Sequence, residues 1–508
     1  MTHRPRRARH ARTASRQARA NRRTLGHELL HIDVSGARPE RRGVPAPEVE
    51  MRQAPQPALF SLIGDTPLIE VSRLDTGPCQ LFLKLECQNP GGSIKDRIGR
   101  SMIEAAEADG SLRPGGVVVE ATAGNTGLGL ALVARIKGYR VVLVVPDKMA
   151  IEKVLHLKAL GAEIHLTRSD VAKGHPEYYQ DYAARLAREI PGAWFADQFN
   201  NPANPRAHAT TTGPELWRQC AQRLDAIVVG VGSSGTLTGL SQYFGEVQPA
   251  LEFVLADPEG SILAEYVTTG RVSEVSGSWA VEGIGEDFIP AIADFSRVRH
   301  AYTIGDEESF NTARALLLAE GILAGSSSGT LLAAALKYCR AQSAPKRVAT
   351  FVCDTGTRYL TKVYSDGWMV DQGLLARAPL GDLRDLIGRR FDDGDVVTVA
   401  PSDTLLTAFN RMRSADLAQL PVLENGRLAG IIDESDLLLH VTNEPARFGA
   451  PVASTMTSQL RTLRPSASMA QLREILDRGL TAVICDGDHF HGLITRFDLL
   501  NHLRRTLS

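Results

Sequence analysis

A single lysine, Lys95, follows a glycine turn in the run Asn89-Pro90-Gly91-Gly92-Ser93-Ile94-Lys95-Asp96-Arg97, just before a helix expected over Ile98 to Ala108. Burial and the positive end of a helix dipole both disfavour an ammonium ion there. The free amine that results is suited to attack an aldehyde. A surface lysine or a phosphate-binding loop has the same local pattern.

Three more polar turns each enter a helix. Glu120-Ala121-Thr122-Ala123-Gly124-Asn125-Thr126-Gly127 offers backbone N–H groups to a carboxylate and the Asn125 amide to a phenolic oxygen. A capped helix start without any ligand accounts for this turn equally well. Gly230-Val231-Gly232-Ser233-Ser234-Gly235-Thr236 follows a strand and can wrap a phosphate with amides and hydroxyls. It lacks the lysine of a nucleotide-binding loop, which disfavours a nucleoside triphosphate. Gly325-Ser326-Ser327-Ser328-Gly329 opens a helix expected over Thr330 to Ala341. Its composition is that of a linker, but apolar helices flank it on both sides.

The elements that must position these turns alternate strand and helix from about Leu59 to Trp368. Strands are expected at Val117 to Glu120, Arg140 to Val145, Asp225 to Val231 and Arg347 to Cys353. Helices are expected at Gly127 to Ile136 and Ile151 to Leu160, the latter stopped by Gly161. Such alternation predicts an α/β fold with a parallel sheet and helices on both faces. Ligands bind beyond the carboxyl ends of such strands, where the polar turns fall.

At 508 residues the chain calls for two or three domains. No apolar stretch reaches membrane-spanning length. The six cysteines (Cys79, Cys87, Cys220, Cys339, Cys353, Cys485) are scattered without a C-x-x-C pair, so neither a zinc site nor a disulfide framework is indicated, and no metal is expected. That usage fits a reducing compartment, and a cytoplasmic location is expected. The net charge of −1 is unevenly spread: residues 1–50 carry twelve Arg and five acidic residues. This segment cannot bury a core and is expected to be disordered. A nucleic-acid-binding tail, a transit peptide and an overextended start with Met51 as initiator are the readings open to it, the last being preferred. The rest of the chain has no basic patch suited to nucleic acid.

Beyond Trp368 an internal repeat appears. Val399-Ala400-Pro401-Ser402-Asp403 resembles Leu463-Arg464-Pro465-Ser466-Ala467, and Gly430 to Leu438 resembles Gly492 to Leu500. Each copy is expected to be a β-α-β-β-α unit. The expected division is a tail (1–50), a catalytic domain (51–370), a linker (371–380) and two repeat domains (381–445 and 446–508).

In this order, the four turns resemble those of the cysteine synthase and cystathionine β-synthase family of fold-type II pyridoxal-phosphate (PLP) enzymes, over roughly residues 55–370. The resemblance implies that Lys95 is the Schiff-base lysine and that Gly232, Ser233, Ser234, Gly235 and Thr236 form the phosphate cup. It implies Asn125 at the cofactor's 3′-oxygen and Ser327 at its pyridine nitrogen. Thr122, Gly124, Thr126 and Gln198 are implied as contacts to the substrate carboxylate. Two positions depart from the family pattern. Ala123 stands where serine is common, and Ser233-Ser234 replaces a Thr-Gly, which puts a Cβ where the family has none. The runs Asp257 to Leu263, Val281 to Pro290 and Tyr364 to Met369 resemble the cystathionine β-synthase branch, and Glu286 resembles its bacterial members. No cysteine precedes Cys79, so no haem is expected.

The repeat resembles the paired CBS regulatory domains. That resemblance implies an adenosyl ligand such as S-adenosylmethionine or an adenine nucleotide, with Asp436, Thr495 and Asp498 as its contacts; Asp433 stands where the second copy has Thr495. A purely structural pair is the other reading. The implied reaction is elimination–replacement at the β-carbon, condensing L-serine with L-homocysteine to L-cystathionine. The alternative is O-acetylserine with sulfide. A serine/threonine dehydratase and a catalytically inactive adenosyl sensor stand further off. A homodimer or homotetramer acting on small amino-acid and thiol substrates is implied, with neither nucleic acid nor membrane as partner.

Overall fold

The computed structural model describes residues 58–507 apart from 123, 148, 172–173, 273–276 and 443. The readings of residues 1–50 and of Ala123 lie outside the described residues.

The strands of the first two-thirds divide between two sheets rather than forming the single one predicted. Strands β1 (Leu68–Glu70), β2 (Gln80–Lys84), β7 (Ala226–Gly230), β8 (Glu252–Pro258), β9 (Val298–Ile304) and β10 (Arg347–Phe351) make one sheet in the order β1-β2-β10-β7-β8-β9. All its pairs are parallel except β1 with β2. Strands β3 (Val117–Ala121), β4 (Arg140–Pro146), β5 (Glu163–Thr167) and β6 (Ala193–Phe195) make a parallel sheet ordered β5-β4-β3-β6. Strand-by-strand patterning reports that a strand is covered on both faces. It does not report which strands are neighbours. β3 is buried throughout, Glu120 included.

Two helices begin earlier than the apolar pattern predicts. The helix Lys95–Ala108 takes in Lys95 itself, and the helix Ser326–Arg340 takes in all three serines. The serine hydroxyls work outside their own helix: Ser326 Oγ accepts from Glu282 N at 3.0 Å and Ser328 Oγ from Cys353 N at 2.9 Å. Tertiary hydrogen bonds thus hold in a helix residues whose local preference is for turns.

The helices Lys95–Ala108 and Asn125–Lys137 cross in backbone contact. A Cβ on Gly99 would lie 2.5 Å from the Gly129 carbonyl carbon, and one on Gly129 would lie 2.5 Å from the Lys95 carbonyl oxygen. Only glycine permits this approach.

In the C-terminal region, the first repeat holds the helix Leu405–Ala415, the hairpin β11 (Gln419–Glu424) and β12 (Arg427–Asp433), and the helix Glu434–Val441. Its opening strand is reduced to a bridge between Val399 and Val422. The second holds β13 (Thr462–Leu463), the helix Met469–Asp477, the hairpin β14 (Ala482–Asp486) and β15 (His489–Ile494), and the helix Arg496–Leu507. Val483, Cys485 and Phe490 of the second repeat pack with Leu423, Leu428 and Ile431 of the first, so the two sheets share a core. Among the described residues no helix is long and apolar enough to cross a membrane.

Candidate active site

The carboxyl ends of β3 and β7 both run into glycine turns, and the turns face one cavity of about 230 Å³. That cavity brings together Lys95, Thr122, Gly124, Asn125, Thr126, Gln198, Gly232, Ser233, Ser234, Gly235, Thr236 and Ser327. Asp436, Thr495 and Asp498 lie in the repeat domains.

Lys95 is the first residue of its helix. Burial holds its pKa below the ordinary lysine value, against the opposing pull of Asp354 and Glu286. The helix N-terminus acts in the same direction as burial. Its neighbour Asp96 points the other way and accepts from Gly91 N, tying the glycine turn to the helix. Burial pushes the Asp96 carboxyl up to about 7.

In the β3 turn, Thr122 Oγ1 accepts from Gly124 N at 3.0 Å and Gly127 N at 3.2 Å. Gly124 has φ +120°, and a Cβ there would lie 2.7 Å from Lys153. Thr126 Oγ1 donates to Gln198 Oε1 at 2.7 Å, and Gln198 Nε2 reaches Glu120 and the Ala121 carbonyl, both at 3.2 Å. Burial raises the Glu120 carboxyl well above its ordinary value.

In the β7 turn, Ser234 adopts φ +68°, the left-handed region that favours glycine, and its hydroxyl lies 3.2 Å from Thr238 Oγ1. The replacement noted in the sequence therefore leaves the turn's backbone in a glycine-type conformation with a side chain added. Gly232 passes under the segment Val281–Gly285: a Cβ would come 2.6 Å from the Gly283 oxygen. Asn204 Nδ2 donates to Ser233 Oγ at 2.9 Å and to the Gln198 carbonyl at 2.8 Å, joining the β7 turn to the segment after β6 that carries Gln198.

Further residues line the cavity or brace the side chains that do. Asn125 Nδ2 donates to Asp354 Oδ2 at 2.8 Å, and Asn125 Oδ1 accepts from Arg358 Nη1 at 2.6 Å. The asparagine amide is thus fixed while keeping a second N–H. Cys353 lines the cavity beside Ser327, and burial pushes its thiol up to about 12. Lys153 and Glu282, both buried, pair at 2.6 Å within the lining, with Lys362 on the other carboxylate oxygen at 2.7 Å. His208, in a π-helical turn (His208–Thr212), places Nε2 3.3 Å from Thr236 Oγ1, and burial keeps its ring neutral. Asp354 was within reach of sequence reasoning, since it follows β10 at the same sheet edge as the other turns. Lys153, His208, Arg358 and Lys362 have no local motif.

In the repeat domains, Asp436 and Asp433 form a reciprocal capping box: Asp436 N donates to Asp433 Oδ1 at 2.8 Å and Asp433 N to Asp436 Oδ2 at 3.2 Å. In the second copy, Asp498 Oδ2 accepts from both the backbone and the hydroxyl of Thr495 at 2.6 Å. The two carboxylates cap equivalent helices.

Residues 59–354 match the family described as pyridoxal-phosphate dependent enzyme, and residues 384–443 and 452–505 each match the CBS domain. The chain is 34% identical over 462 residues to a cystathionine beta-synthase of Apis mellifera, covering 88% of this chain and 91% of that one. It is 40% identical over 327 residues to cysteine synthase 1 of Neurospora crassa, covering 63% and 86%. Its structure resembles that of an O-acetylserine dependent cystathionine beta-synthase from Helicobacter pylori, with TM-score 0.55 and 35% identity over 60% of this chain and 98% of that one.

Proposed function

This chain belongs to the cystathionine β-synthase family of pyridoxal-phosphate dependent enzymes and carries two CBS domains, and from that premise we propose that it condenses L-serine with L-homocysteine. Replacement at the β-carbon of an amino acid is the chemistry its relatives support. The choice of serine and homocysteine rests on one observation: similarity to cystathionine β-synthases extends over 88% of the chain, repeats included, whereas similarity to cysteine synthase 1 of Neurospora crassa stops at 63%.

The donor set fits pyridoxal phosphate. Lys95 offers an amine to an aldehyde. The turn Gly232 to Thr236 offers amides, three hydroxyls and a helix N-terminus to a phosphate, in a cradle that a Cβ on Gly232 would fill. When bound, the cofactor supplies the aldehyde that holds the substrate amine and a ring that accepts electron density from Cα.

The protein's own groups do the rest. Thr122, Gly124, Thr126 and Gln198 hold the substrate carboxylate. Lys95 Nζ, whose burial disfavours the ammonium form, takes the Cα proton and returns one to the departing β-oxygen. Asn125 and Ser327 orient the ring from two sides. A neutral serine, unlike an aspartate, does not hold a pyridine nitrogen protonated. The site therefore favours prompt loss of the β-group over a long-lived carbanion.

Steady-state rates with serine or O-acetylserine, each paired with homocysteine or sulfide, test the proposal, with and without S-adenosylmethionine for the CBS pair. The expected outcome is the highest kcat/KM with serine and homocysteine. A preference for O-acetylserine and sulfide would replace it with cysteine synthesis.

A further inference from the structure

Strand β15 carries histidines at alternate positions, His489 and His491, so both side chains stand on one face of the sheet. Their rings lie 4.5 Å apart between centroids. Alongside runs the segment after the linker: Arg390 bridges to Gly492, and Phe391 N donates to the His491 carbonyl at 2.9 Å. That pairing sets Asp392 against both rings. Its Oδ1 is 2.9 Å from His489 Nε2 and its Oδ2 3.4 Å from His491 Nδ1. One donor atom from each of the three residues lies within 4.8 Å of the others.

A carboxylate shared by two imidazoles on one strand face is more than an ion pair requires. Tetrahedral zinc with bonds near 2.0–2.1 Å needs its donors about 3.3 Å apart, inside the spread seen here. The donors are two nitrogens and one oxygen, borderline ligands that suit Zn2+ and its first-row neighbours rather than Mg2+ or Ca2+. His491 is buried at 8% exposure and fixed by the strand pairing. His489 and Asp392 remain open to solvent, so an ion has both an anchored ligand and an entry path.

We propose that Asp392, His489 and His491 form a Zn2+-binding site between the segment that opens the first CBS domain and strand β15 of the second, with water completing the coordination. The scattered cysteines give no sign of a metal site, and this cluster leaves no local motif: Asp392 is remote in the chain from the two histidines, and strand pairing alone unites them. An ion here would clamp residues 390–392 to β15. The adjoining Asp393 and Asp395 are gripped by Arg377 of the linker at 3.4 and 3.5 Å. The site is separate from the PLP cavity and its occupancy is independent of the substrate proposal.

The test uses full-length, cofactor-loaded protein stripped with a chelator and titrated calorimetrically with ZnCl2 alone. One equivalent per chain is expected to bind, and His489→Asn and Asp392→Asn should each weaken that event by at least ~10-fold. Both side chains are more than half exposed, so neither change should alter the denaturant midpoint. Crystals soaked in zinc should show an anomalous peak between the three residues. Equal zinc binding by wild type and the Asp392→Asn/His489→Asn double variant would overturn the proposal, as would a peak elsewhere only or no binding at millimolar zinc.

Discussion

Asn125 and Asp354, 229 positions apart in the chain, share a 2.8 Å hydrogen bond at the mouth of the two sheets. Asp354 Oδ2 also accepts from Tyr359 at 2.7 Å, while its Oδ1 is buried without a partner. One carboxylate therefore fixes the asparagine and, through its charge, supports the protonated form of Lys95. Asp354→Asn removes that charge. The pKa of Lys95 should fall further, so the limb of the pH–rate profile set by the lysine should move to lower pH. Misplacement of Asn125 should cost roughly 10²-fold in kcat/KM. An unshifted profile would remove Asp354 from this positioning role.

Lys95→Ala should reduce turnover by more than ~10³-fold and abolish the visible absorbance of the protein–cofactor bond. Borohydride reduction followed by peptide mapping should label Lys95 in the wild type. A label on another lysine would move the site.

The β7 turn predicts opposite outcomes at two of its positions. Ser234→Gly relieves a left-handed side chain at the loss of one 3.2 Å contact, so stability should change by less than about 1 kcal/mol. Gly232→Ala drives a Cβ into the Gly283 carbonyl and must displace backbone at the proposed phosphate cup. Cofactor titration by fluorescence should show little change for the first and at least ~10-fold weaker binding for the second.

Acid should weaken the fold through Glu215. Burial alone pushes this carboxyl up, but Arg97 donates to it at 2.8 and 2.7 Å and brings it down from 4.5 to about 2. A lowered folded pKa contributes stability above pH 4.5 that disappears as pH falls toward 2. Urea midpoints at pH 7, 4 and 3 should converge for wild type and Glu215→Gln. Parallel pH dependences would exclude the ion pair as the cause.

Much of this site was legible because its chemistry sits in contiguous turns. Lys95, Asn125, Ser233 and Ser327 each lie beside glycines at a helix start, and that pattern is local. Lys153 and Arg358 were not legible. Their role depends on which turn faces which, and pairing between sheets leaves no periodic trace. The division into two sheets escaped for the same reason. The capping role of Asp436 was hidden differently: a carboxylate three residues after Asp433 has the same spacing whether it closes a capping box or reaches a ribose.

The glycine crossing of helices Lys95–Ala108 and Asn125–Lys137 has a mechanical corollary. Lys95 and Asn125 ride on a single frame locked by Gly99 and Gly129, while Ser233 and Ser234 follow β7, a strand of the other sheet. Movement of one sheet against the other would therefore shift the β7 serines and leave the spacing of amine and asparagine set by the glycine contact.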